Sequence, residues 1–143
     1  MHPLYTTAVE TTNALRDIRR QVASLSMELS QAEYHLQVVR AKVERGLIKQ
    51  ARSEKALGPT VEDRTRIFTL ALDADAEYQR QWKRCHDVGL KLEQAKAESA
   101  SLRDKLSVLL AAMQANDEQA DAYGRSGEPP GHAIRPIPPR RRG

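Results

Sequence analysis

Large rings are scarce in this 143-residue chain: aromatics make up 4% of it, with a single Phe and a single Trp. A compact globular core of this length would draw on more of them, so a rounded domain is disfavoured. Cysteine is nearly absent. Cys85 stands alone, which excludes an internal disulfide and removes any argument for an oxidising compartment. No apolar run approaches the roughly 18–20 residues of a membrane span. The opening MHPLYTTAVETTNALRD lacks the charged start and apolar stretch of a signal peptide. These absences point to a soluble protein of the cytoplasm, or of the host cytoplasm if the source is viral.

Chemistry-bearing motifs are missing too. There is no Gly-rich phosphate loop and no nucleophile elbow. His2, His35, His86 and His132 are scattered. Cys85 and His86 are neighbours and would point about 100° apart on a helix, so a site with His35 lacks the spacing of structural zinc. Asp73, Asp75 and Glu77 fall on different helical faces and read as solvated surface. The expectation is a protein without enzymatic activity, cofactor, metal or small-molecule substrate.

Periodicity is what the sequence has in abundance. Ala8, Thr11, Leu15, Ile18, Val22, Leu25, Leu29, Ala32, Leu36, Val39 and Val43 follow alternating steps of three and four. Only Thr11 interrupts an apolar ladder, and polar residues flank it, which is the pattern of a coiled-coil seam. The ladder slips near Gly46, and a first helix over about 6–57 is expected. Leu57-Gly58-Pro59-Thr60 then combines stop and start signals. Gly58 suits a left-handed helix end, Pro59 cannot extend the helix, and Thr60 with Glu62 and Asp63 resembles a capping box. A tight turn at 57–60 follows.

A second ladder runs through Ile67, Ala71, Ala74, Tyr78, Gln81, Cys85, Val88, Leu92, Ala95, Ser99, Leu102, Leu106, Leu109 and Met113, giving a helix over about 60–120. Folding back at the turn would set Leu29 against Val88, Val22 against Ala95 and Leu36 against Tyr78–Gln81. The fold class expected is therefore all-α: a long antiparallel two-helix coiled-coil hairpin over 1–123. Residues 124–143, rich in Pro, Gly and Arg, are expected to be a disordered tail. Off the seam, Met27, Tyr34, Val38, Leu70, Leu72, Trp82, Leu90, Val108 and Leu110 remain for self-association or a partner helix.

The net charge is +4. Its excess lies in two places. One is the turn, with Arg40, Lys42, Arg45, Lys49, Arg52, Lys55, Arg64 and Arg66. The other is the tail, whose five arginines include Arg140, Arg141 and Arg142. Trp82-Lys83-Arg84 adds an aromatic among cations, an arrangement able to stack a base and hold a phosphate. The competing assignment sets Trp82 over the seam beside Tyr34. The candidate contacts to nucleic acid or a partner are thus Arg45, Lys49, Arg52, Arg64, Arg66, Trp82, Lys83, Arg84, Arg140, Arg141 and Arg142. Pro136-Ile137-Pro138-Pro139-Arg140-Arg141 also fits a PxxPxR polyproline ligand.

Thr60-Val61-Glu62-Asp63-Arg64, followed by Leu70, Leu72 and Asp75-Ala76-Glu77-Tyr78, resembles small helical-hairpin proteins of phages and prophages. Those proteins are often encoded near recombination or single-strand-binding genes. The likeness covers roughly residues 58–113 and leaves out the tail. It implies a phage-like context and a part in DNA processing, and it carries over no binding residue. The function expected is a coiled-coil accessory of DNA recombination or replication. The alternative is a scaffolding protein with no nucleic-acid role.

Overall fold

The computed structural model describes residues 2–126, and over them the chain is all-helical. Helix α1 spans Pro3–Ala51, a single 3-10 turn spans Lys55–Leu57, α2 spans Val61–Ala74 and α3 spans Ala76–Ser126. The expected tail beyond 126, including Arg140, Arg141 and Arg142 and the proline motif, lies outside the described residues. The three residues before it, Gly124, Arg125 and Ser126, belong to α3.

Helix α1 begins earlier than its ladder suggests. His2 supplies the cap: its carbonyl accepts from Tyr5 N (3.0 Å) and Thr6 N (3.2 Å), and its Nδ1 accepts from Leu4 N (3.0 Å). Pro3 occupies the first helical position, where its fixed φ and missing N–H cost nothing. Gly46 does not interrupt the helix.

The connection is longer than the expected turn, because α1 stops at Ala51 rather than near Leu57. Ser53 explains the early stop. Its side-chain oxygen accepts from Ala56 N at 3.2 Å and its carbonyl from the same N–H at 3.3 Å, drawing the chain into a 3-10 turn in competition with the helix. The left-handed residue that ends α1 is Arg52, with φ 70°, and not Gly58. Gly58 is extended, at φ 169° and ψ 151°. Glycine is required there for room: a Cβ would fall 2.7 Å from Asp63 Cβ and 3.3 Å from Arg64 N. Thr60 caps α2 as expected, its Oγ1 accepting from Asp63 N at 3.1 Å.

The expected second helix is two helices. Asp75 leaves helical geometry (φ −83°, ψ 117°) and serves both neighbours. Its N–H donates to Leu72 O at 3.2 Å, closing α2. Its Oδ1 accepts from Tyr78 N at 2.8 Å, opening α3. Gln79 Nε2 reaches back to the same Leu72 carbonyl at 3.2 Å and ties the start of α3 to the end of α2. An aspartate can cap a helix in this way, which alternation of apolar residues does not reveal.

The chain divides into two compact units. One joins the start of α1, through Arg16, with α3 from Ala100 onward; the other is Asp17–Ser99. In the first, Ala8, Thr11 and Leu15 are buried. Thr11, the polar break in the ladder, donates its hydroxyl to the Thr7 carbonyl at 2.8 Å and so is buried without an unpaired group. His2 and Tyr5 share a groove of about 440 Å³ with Met113, Asn116 and Asp117. In the second unit, Ile18, Leu25, Ala32, Val39, Leu72, Val88, Leu92 and Ala95 are buried. Leu72 was expected outside and Ala74 on the seam; the structure exchanges them, burying Leu72 and exposing Ala74. The Asp75 break allows α2 a rotation of its own.

Candidate interaction surfaces

The basic candidates fall into two clusters. Lys49 lies in the last turn of α1, Arg52 opens the connection, and Arg64 and Arg66 lie on the first turns of α2. Trp82, Lys83 and Arg84 lie on α3, beyond the whole of α2, whose 14 residues rise about 21 Å. The two clusters do not merge into one patch.

Within the first cluster several cations have work inside the chain. Arg64 Nη1 donates to the Gly58 carbonyl at 3.3 Å, tying α2 to the connection. Arg45 Nε donates to the Ala41 carbonyl at 3.3 Å. Arg66 lies 3.8 Å from Asp63, an exposed pair of little energetic weight. Arg40 pairs with Glu44 at 3.0 Å. Lys49, Arg52 and Lys55 are exposed, and no ion pair among the described residues uses them.

Beside this cluster, Lys42, Val43, Gly46, Leu47 and Gln50 of α1 line a groove of about 470 Å³ with Ala71 and Ala74 of α2 and Asp75. The groove is open to solvent and its walls are mostly aliphatic. Few polar groups converge on it, which is a poor basis for holding a small polar molecule.

Trp82 does not sit over the seam beside Tyr34. Its ring stacks on His86, one turn along α3, with centroids 5.3 Å apart and planes 5° from parallel. Tyr34 is 67% exposed, and its ring neighbour is His35 at 6.0 Å. Trp82 is 49% exposed and Leu90, two turns farther on, is 51% exposed. Trp82, His86 and Leu90 follow one another at four-residue steps and form a ridge on the outside of α3.

Cys85 faces inward. Burial pushes its thiol above the usual value, and the carboxylate of Glu33 adds to the rise, while Arg84 offsets part of it. Among the described residues, no three His, Cys, Asp or Glu side chains are placed to hold a metal ion. Nor is any described helix long and apolar enough to cross a membrane.

Compared with protein-family models, with curated proteins and with solved structures, the chain matches none. Function has to be argued from its own surfaces.

Proposed function

We propose that this chain is a non-enzymatic coiled-coil interaction protein, and that each of its units is built as an antiparallel helical hairpin. The observation that carries this reading is the set of residues that neighbour each other across the helices. Glu33 acts electrostatically on Cys85. Val43 shares a groove with Ala74, and, within the other unit, Tyr5 shares one with Met113. All three pairs fall within one residue of the register that sets Leu29 against Val88. Burial of the ladder residues Ile18, Leu25, Ala32 and Val39 on α1, and of Val88, Leu92 and Ala95 on α3, supports the same seam. A direct test uses the native thiol. In a Glu33→Cys variant, a short bismaleimide is expected to join residue 33 to Cys85 within one chain, read by mass spectrometry of the digest. Cross-links found only between chains would rule out the hairpin.

The biological role we propose is that of a phage-type accessory to DNA recombination or replication. Its support is the cluster of exposed cations at Lys49, Arg52 and Lys55, which form no ion pair among the described residues, at the end of the unit where α1 gives way to α2. A single-stranded oligonucleotide is expected to bind at low salt. Replacing Lys49 and Arg52 by alanine should then reduce the slope of log affinity against log salt by roughly 1.4, at about 0.7 per phosphate contact on a single strand. Absence of binding at low salt would leave the scaffolding alternative. That alternative draws its own support from Arg45 and Arg64, each of which donates a hydrogen bond to a backbone carbonyl.

A further inference from the structure

The ridge on α3 has an internal symmetry. Trp82 lies four residues before His86 and Leu90 four residues after it, and all three are exposed. Gln79 and Glu93 continue the same face, seven residues to either side of His86. Gly89 lies along one edge of it, and nothing stands within 4 Å of where its Cβ would be, so a neighbouring helix could approach closely there. Lys83 and Asp87 lie along the opposite edge. Both are exposed, and neither forms an ion pair among the described residues.

We propose that this face binds a second copy of the chain, two α3 helices pairing antiparallel about a twofold axis through His86. The proposal rests on the coiled-coil reading above and names the partner and the surface. Antiparallel pairing brings Trp82 of one copy level with Leu90 of the other, and the twofold axis makes the contact twice. Each indole then covers an aliphatic side chain that is half exposed in the single chain. Lys83 comes within about 3 Å of rise of the other copy's Asp87, on the same edge, which forms two symmetric ion pairs. Parallel pairing would instead set the Lys83–Asp87 edge of one copy against the Gly89 edge of the other, where neither ion pair can form. Charge therefore favours the antiparallel arrangement.

The other exposed apolar line of this unit lacks that complementarity. Met27 and Tyr34 on α1 share a face with Arg20 and Arg45 and with no carboxylate between them, so a second copy docked there would oppose like charges. The α3 face is small by the standard of permanent dimers, and a dissociation constant of roughly 10–100 µM is expected.

Sedimentation equilibrium of the full chain from ~5 to ~500 µM tests the proposal against that constant. The wild type is expected to pass from monomer to dimer across this range. Leu90→Lys, a change at an exposed position, is expected to stay monomeric while keeping its helical circular dichroism. Lys83→Asp and Asp87→Lys should each weaken the dimer by about tenfold. The double variant, with the charges exchanged, should return to within about threefold of wild type. A chain that is monomeric throughout would overturn the proposal and give the ridge to another protein. So would a dimer indifferent to Leu90→Lys, or a double variant as weak as its parents. The Glu33–Cys85 cross-link, formed within one chain, reports on the hairpin in either event, so failure of self-pairing is distinguishable from failure of the coiled-coil reading.

Discussion

Replacing Ala32 by leucine is expected to destabilise the Asp17–Ser99 unit by about 1–3 kcal/mol, the usual cost of forcing extra methylenes into a filled core. Among the described core residues Ala32 alone is 0% exposed; Leu25 and Val39, one heptad to either side, retain 8% and 5%. The side chain that would replace it is three carbons larger, and α1 cannot rotate to relieve the strain without also exposing Ile18, Leu25 and Val39. Thermal melts followed at 222 nm should show a fall of roughly 3–10 °C in Tm. A melt that does not move would mean that the facing side chains give way, and that the seam at this level is looser than its burial implies. The result bears on function, because a seam that closes on alanine keeps the helices near enough to hold the outer ridge of α3 in one orientation.

Gln81→Leu is expected to act in the opposite direction. Gln81 stands on the ladder of α3, and its Oε1 is buried with no hydrogen-bond partner among the described residues. Stranding an acceptor in this way costs about 1–3 kcal/mol, and leucine removes the acceptor while adding apolar contact. Chemical denaturation should show a gain of about 1–2 kcal/mol, seen as a higher midpoint at unchanged slope. A loss of stability would instead indicate that a bound water satisfies the glutamine. The gain should come with a loss of selectivity. A lone polar residue in an apolar seam penalises every register that would bury it against the wrong neighbour, and leucine lifts that penalty.

Both predictions concern positions that the apolar spacing already marked, and the reason is physical. Steps of three and four sustained from Ala8 to Val43 have no reading but one face of a helix, so the burial of Leu15, Ile18, Leu25, Ala32 and Val39 was legible at once. Thr60 was legible as a cap for a similar reason: an oxygen placed three residues before an acidic first turn has one obvious use. The connection was harder. Glycine is the usual left-handed residue, yet Arg52 takes that conformation and Gly58 is extended. What Gly58 supplies is space beside Asp63, a tertiary demand that no local pattern expresses. Ser53 is a signal of the early stop, since its hydroxyl competes with the helix, but the apolar spacing of Leu47, Ile48 and Ala51 masks it.

The candidate surfaces divide in the same way. Composition located the cations, but not which of them are committed. Arg45 and Arg64 are bonded to backbone carbonyls, whereas Lys49 and Arg52 are not seen in any ion pair among the described residues. Trp82 was marked by its basic neighbours. Its partner proved to be His86, four residues along, a spacing visible in the sequence once Trp82 is read as lying outside the seam.

Asp75 also affects how this protein can change length. In an unbroken helix, inserting or deleting one residue turns everything beyond it by about 100° and carries a buried side chain into solvent. At Asp75 the backbone leaves the helical path and starts again under a fresh cap, so the angular setting of α3 need not be inherited from α2. Leu72 and Ala74 already illustrate this, since α2 buries a residue out of step with the ladder of α3. A residue added to or lost from α2 therefore need not turn the Trp82 ridge away from its outward bearing.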